Sequence, residues 1–271
     1  MLKAPTLRNG LLVAGIYIAL IGVNTGVQTH YAFEMTYSTA DTAKILIFLE
    51  ILYFSFVIWA AMRLGGLRAN GFGKINWGQF LWLVPSLLIA AQMLGQFLLT
   101  ALTSSALTVG QWALFGAIAV SVAVITFSDE VVFRGILLNA AQKSTTRLKA
   151  MLISAASFSL LYAVIAISEP QLTDQLIQPT LMQMGEAFIL GLLLAPLALR
   201  IGTLWPLIFL HFLWEFLRVV GDYLGVEYVI TVAGTEIDLF FINMGLNLVL
   251  IAVFWTLEIR SARVPNRPDN W

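Results

Sequence analysis

The chain reads as an all-α, polytopic membrane protein with about eight transmembrane helices and both termini cytoplasmic, and three features of its sequence predict this. Of 271 residues, 59% are hydrophobic and 11% charged, a balance that the water-facing surface of a globular domain does not tolerate. The apolar residues gather into eight runs, each long enough to cross a bilayer. The basic residues fall between those runs on alternate sides.

A span needs roughly 20 apolar residues, because the hydrocarbon core is about 30 Å thick and a helix rises about 1.5 Å per residue. The segments that qualify run approximately from Leu11 to Gln28, Ile45 to Met62, Trp77 to Ala101, Gln111 to Ala141, Ala150 to Ile167, Leu181 to Leu199, Gly202 to Val220 and Ile237 to Leu257. No long polar stretch, low-complexity tract or internal repeat interrupts them, so residues 1–271 are expected to form a single integral membrane domain. Lys3 and Arg8 precede the first run without a small-residue cleavage site, which reads as a first helix and not a removed signal.

Orientation follows from the rule that loops rich in Lys and Arg stay in the cytoplasm. One side collects Lys3, Arg8, Arg63, Arg68, Lys74, Lys143, Arg147, Lys149, Arg200, Arg260, Arg263 and Arg267. The other carries Glu34, Asp41, Glu169, Asp174, Asp222, Glu227 and Glu236, with Lys44 the one basic residue near them. A bacterial-type plasma membrane suits this pattern, and membrane lipid is the first partner it implies.

Composition also excludes function classes. Fifteen basic and fifteen acidic residues cancel, which leaves no global field for capturing nucleic acid. With no cysteine, disulfides, thiolate metal sites and a cysteine nucleophile are ruled out. Any chemistry uses oxygen and imidazole. The tryptophans near span ends, among them Trp77, Trp112 and Trp205, read as interfacial anchors with no cofactor box. His30 reads as a loop histidine.

The fourth segment departs from the others, because Asp129, Glu130 and Arg134 lie in its interior. Charges inside the bilayer cost a few kcal/mol each even on insertion scales, so the group is expected to face a protein interior or a wet cavity. At helical spacing Glu130 and Arg134 share a face and pair as scaffold, while Asp129 points roughly 100° away into a different part of the bundle. The alternative is one structural ion network of all three. Helix seven places His211 and Glu215 on one face. Both His211 and Asp129 lie at depths compatible with one site facing the basic, cytoplasmic end, about 13 and 18 Å below it at helical rise. Glu50, Glu186 and Arg218, also in or near spans, are candidates for ion pairs or a cavity lining.

These residues resemble the CPBP family, which comprises CAAX prenyl endopeptidases, Abi-type bacteriocin-processing proteins and their bacterial relatives. Glu-Glu-x-x-x-Arg followed by Gly is matched by Asp129-Glu130-Val-Val-Phe-Arg134-Gly135. Phe-x-x-x-His is matched by Phe158-Ser-Leu-Leu-Tyr162, and His-x-x-x-Asn or Asp by His211-Phe-Leu-Trp-Glu215. The match covers Val124 to Phe216, within a core of about residues 111–220.

The resemblance implies an endopeptidase that cleaves a membrane-associated peptide or protein near the cytoplasmic face. In its terms Asp129 is the general base, Tyr162 its partner, Glu130 and Arg134 their supports, and His211 with Glu215 the oxyanion side. Three positions depart from the pattern. Asp129 is one methylene shorter than glutamate, Tyr162 puts a phenol in place of an imidazole, and Glu215 puts a carboxylate where an oxyanion would form. No cofactor is expected, and one histidine among carboxylates is weak support for a divalent metal. The rival readings are a catalytically silent relative that binds, chaperones or scaffolds a membrane partner, and an ion-coupled transporter, which the lack of repeats disfavours.

Overall fold

The computed structural model describes the backbone of residues 5–34, 39–103, 107–167, 174–232 and 234–262, and the side chains of these except 27–34, 39–46, 166–167, 174–176 and 261–262. Among the described residues eight long helices follow one another: α1 (Leu7–Glu34), α2 (Thr39–Arg63), α3 (Val84–Thr103), α4 (Val109–Asp129), α5 (Arg147–Ile167), α6 (Asp174–Ile201), α7 (Trp205–Leu224) and α8 (Leu239–Ala262). Before α3 the chain already turns helically through Trp77–Phe80 and Leu81–Leu83; beyond α4 it winds on through Glu130–Leu137 and Leu138–Gln142. Six of these helices are long and apolar enough to cross a membrane, and the protein is an integral membrane protein. The six include neither α2, whose side chains are described only from Ile47, nor α7, which carries Glu215, Arg218 and Asp222.

The bundle is inside-out relative to a water-soluble protein. Leu99, Leu102 and Val109 are 66%, 77% and 88% exposed on its outer surface, while Asp129, Glu130, Arg134 and His211 are buried within it. A surface of this kind is stable against hydrocarbon, where backbone groups are satisfied inside each helix and apolar side chains meet lipid. Packing therefore concentrates where helices can approach closely. A Cβ at Gly191 of α6 would lie 2.8 Å from the Ala155 Cα of α5, so that contact admits glycine alone. Nearby, Ser159 Oγ donates to the Met184 carbonyl at 2.8 Å.

A proline inside a helix opposes its continuation, yet α6 contains exposed Pro179 and buried Pro196. Pro196 cannot donate to the carbonyl four residues back, that of Leu192. Trp255 of α8 supplies the missing donor, with Nε1 3.3 Å from the Leu192 oxygen. At the basic end, buried Glu258 of α8 reaches Arg147 of α5 at 2.9 Å and Arg200 of α6 at 2.6 Å. That ion cluster pins the start of α5 and the ends of α6 and α8 to one another.

The connection from α2 to α3 folds back against the α6–α7 turn at the same end. Leu204 N–H donates to the Gly71 carbonyl at 2.7 Å and Asn76 N–H to the Ile201 carbonyl at 2.8 Å. At the opposite end a two-stranded antiparallel hairpin, β1 (Val229–Val232) and β2 (Thr235–Asp238), separates α7 from α8. The hairpin occupies the start of the expected Ile237 to Leu257 segment, so α8 begins at Leu239 instead. Gln96 of α3 anchors it by donating to the Val229 carbonyl. Burial pushes the Tyr228 hydroxyl up to about 12, so it stays a neutral donor to the Leu217 carbonyl at 2.6 Å. His30, expected in a loop, falls inside α1 with its side chain outside the described residues.

Candidate active site

The segment that carries the charges does not continue α4 as an ordinary helix. Over Glu130–Leu137 the backbone widens to hydrogen bonds five residues apart, as in Leu138 N–H to the Phe133 carbonyl. Such wide turns are uncommon and collect at functional sites. Every residue of the segment is buried. Two neighbours hold its shape. Ser154 Oγ of α5 donates to the Phe133 carbonyl at 2.8 Å, and Asn139 Nδ2 donates to the Gly135 carbonyl at 2.7 Å. Gly135 follows Arg134 because the backbone of the α2–α3 connection lies against it: a Cβ there would meet the Asn70 carbonyl oxygen at 2.6 Å.

Within this frame the expected pairing of Glu130 with Arg134 is present, at 3.0 Å between fully buried side chains. The guanidinium also lies over the Phe158 ring, 4.3 Å from its centroid, where the aromatic face favours a desolvated cation. The same Glu130 Oε1 meets His211 Nδ1 at 3.0 Å. A carboxylate has acceptors only, so it is Nδ1–H that donates. Glu130 is thus more than scaffold: it joins α7 to the charged segment and fixes the orientation of the imidazole.

Asp129 turns to a different part of the bundle from the Glu130–Arg134 pair, as their spacing suggested, and meets a partner on another helix. Its Oδ1 accepts a 2.7 Å hydrogen bond from the Tyr17 hydroxyl of α1. Tyr17 is itself enclosed edge-on by the rings of Tyr53 and Phe133. Asp129 remains within electrostatic reach of His211, Glu130 and Arg134 but is absent from the wall of the adjoining cavity. Tyr17 is the residue that sequence reasoning missed. One phenol inside an otherwise ordinary apolar span was the available signal.

That cavity, about 320 Å³, lies among α5, α6, α7, α8 and the start of α3, within the size range of small-ligand sites. His211, Tyr162 and Glu215 line it, together with Glu186 and Arg218. Phe158 abuts both working rings edge-on, at 5.8 Å from His211 and 6.1 Å from Tyr162. Glu215 does not touch His211 in the way the shared helix face suggested. It turns to Arg218, 2.8 Å away, on the cavity wall. Of the other intramembrane charges, Glu50 of α2 accepts a hydrogen bond from Ser121 of α4 and lies away from the cavity. Asn243, Asn247, Ser86 and Gln183 add further polar groups to the lining. The first two were readable as amides four apart on an apolar helix, a spacing that puts both on one face.

Three of the six motif positions, His211, Tyr162 and Glu215, therefore line one cavity, and Glu130 is bonded to the first of them. Residues 110–217 match the family model described as Type II CAAX prenyl endopeptidase, Rce1-like. Over this stretch the chain is similar to the CPBP family. No curated protein matches the chain. The CPBP region begins at the N-terminus of α4, where Thr108 and Gln111 cap the helix reciprocally, and ends in α7 just beyond Glu215. It thus contains every residue of the charged segment and both imidazole-bearing and phenol-bearing walls. Tyr17, Asn243 and Asn247 lie outside it. Among the described residues no three His, Asp or Glu side chains come together as a metal-binding group.

Proposed function

We propose that this chain is an intramembrane peptidase in which His211, oriented by Glu130, activates a water molecule for attack on a peptide bond held in the cavity. The observation that carries the reading is the 3.0 Å contact of His211 Nδ1 with Glu130, on a histidine that lines a cavity. With Nδ1–H committed, Nε2 is the free nitrogen of the neutral ring, and imidazole is the side chain best suited to move a proton near neutral pH. Nε2 takes a proton from water as the water oxygen bonds to the carbonyl carbon, whose π electrons move onto the carbonyl oxygen. Collapse of that adduct breaks the C–N bond, and the proton on Nε2 passes to the departing amine. Glu130 stabilises the imidazolium between the two transfers, as an orienting carboxylate does in other acyl-transfer sites. The Tyr162 hydroxyl, lining the same cavity from α5, donates to the water or to the developing oxyanion. Asp129, held by Tyr17, supports the charged segment.

This reading moves the working base from Asp129 to His211. The test is cleavage of apolar membrane peptides by purified protein in liposomes, followed by mass spectrometry. The reading expects cleavage that His211→Ala abolishes and Asp129→Asn leaves within about tenfold, the margin for a supporting group acting at one remove. Loss of cleavage only on Asp129→Asn would return the base to Asp129.

One observation favours a second reading, the silent relative that binds or scaffolds a membrane partner. Glu215 stands at the motif position of an amide and is engaged by Arg218, so no amide from α7 stabilises an oxyanion. The silent reading expects no cleavage under any of these conditions, with peptide retention by the cavity intact.

A further inference from the structure

The charges that line the cavity do not balance. Among the described lining residues Glu186 and Glu215 are carboxylates, and Arg218 is the one that carries a fixed positive charge. Arg218 is bonded to Glu215 at 2.8 Å, and His211 has committed Nδ1–H to Glu130. Glu186 lies within electrostatic reach of Glu215 and Arg218 but accepts no hydrogen bond among the described residues. Asn247 also lines the cavity; it is 7% exposed, and its Oδ1 has no donor among the described residues. A carboxylate without a partner at membrane depth is costly, and such groups mark where a charged ligand is met.

These acceptors share a level. Glu186, Arg218 and Asn247 each stand about 20 Å from the basic end of their helix at helical rise. His211 stands about 9 Å from that end, so roughly 12 Å separates it from them along the bundle. An extended peptide covers that distance in about four residues, and fewer when a long side chain makes part of the reach. Leu190, Leu193, Leu194 and Met244 make the walls apolar. A wholly apolar occupant leaves the charge of Glu186 unmatched, and an acidic one adds to it, whereas a basic side chain neutralises it.

We infer that Glu186 sets the specificity of the cavity: it receives the ammonium or guanidinium of a lysine or arginine standing about two to four residues from the bond held at His211, within an otherwise apolar peptide segment. Asn247 Oδ1 is a second acceptor for the N–H groups of that side chain. The class of occupant rests on the proposed peptide chemistry, while the charge it carries rests on the lining alone.

The test compares acetyl-Leu-Leu-Lys-Leu-Leu-amide with the same peptide carrying norleucine, an uncharged analogue of similar shape, in place of lysine. Retention of each by the full chain in uncharged detergent is read by rapid spin filtration. The lysine peptide should bind about tenfold tighter, the effect of one charge-assisted hydrogen bond. Glu186→Gln should bring the two peptides to within about twofold of each other, and Glu186→Asp should keep part of the preference. Equal binding of the two peptides by the unmodified protein overturns the assignment, and so does a preference that survives Glu186→Gln. Should Glu186→Gln fail to fold, the peptide with glutamate in place of lysine decides: it should bind the unmodified protein more weakly than the norleucine peptide, and equal or tighter binding overturns the assignment. A lysine preference without cleavage removes the peptidase reading and leaves this one standing, whereas cleavage without the preference does the reverse.

Discussion

Replacing Arg134 by alanine is the perturbation whose cost the structure sets best. The guanidinium supplies Glu130 with its cationic partner at 3.0 Å, and both side chains are excluded from the surface. It also stacks 4.3 Å from the Phe158 centroid. Removing it leaves a carboxylate in the interior with His211 as its remaining partner, and breaking a buried pair in this way costs about 3–5 kcal/mol. The lost cation–π contact, worth about 0.5–2 kcal/mol, falls within that total. Asp129→Asn should be milder, because the amide oxygen still accepts from Tyr17; about 1 kcal/mol is expected for exchanging a charged for a neutral acceptor. Denaturation in mixed micelles, followed by the fluorescence of the eight tryptophans, measures both. The double variant Glu130→Gln with Arg134→Met should recover at least half of the Arg134→Ala loss, because no unpaired charge is left behind. Equal destabilisation by Arg134→Ala and Asp129→Asn would refute the division into an ion-paired frame and a separately held aspartate.

Three further outcomes follow from packing and polar contacts. Glu258→Gln should cost about 2–4 kcal/mol in the same assay, since it weakens two charge-assisted contacts that pin α5, α6 and α8; a cost below 0.5 kcal/mol would make the cluster a surface pair of little weight. Gly191→Ala should lower the yield of folded protein and cost about 1–3 kcal/mol by forcing α5 from α6, whereas Gly185→Ala on the same helix, where a Cβ meets nothing within 4 Å, should be neutral or slightly stabilising; the same effect at both would contradict the close approach. Tyr17→Phe should cost about 1–3 kcal/mol by stripping a buried carboxylate of its donor, and Asp129→Asn in that background should recover part of it; strictly additive losses would mean that the hydroxyl and the carboxylate do not interact.

How far the sequence reached depended on whether one helix or two decided the matter. Spacing within a single helix is fixed by its own geometry, so the Glu130–Arg134 pair, the burial of the charged segment and the common face of Asn243 and Asn247 could all be read from residue numbers. The apolar runs located the helices for the same reason. What spacing could not supply was the rotation of one helix against another. Depth along the helices placed Asp129 with His211 in one site, whereas its bonded partner is Tyr17 of α1, a neighbour on another helix that spacing within its own helix cannot name. Glu215 was assigned to His211 by their shared face, yet Arg218, one turn further on, competes for the carboxylate and holds it.

Central to this account is that Glu130 and His211 act as one unit on a peptide bond in the cavity. The most direct measurement is single-turnover cleavage of apolar peptides in liposomes by the unmodified protein, Glu130→Gln, His211→Ala and the double variant. If the pair acts as a unit, each single change should slow cleavage by about 10²–10⁴-fold and the double change should be little worse than the more damaging single one. Cleavage that survives His211→Ala, or losses that multiply in the double variant, would contradict it.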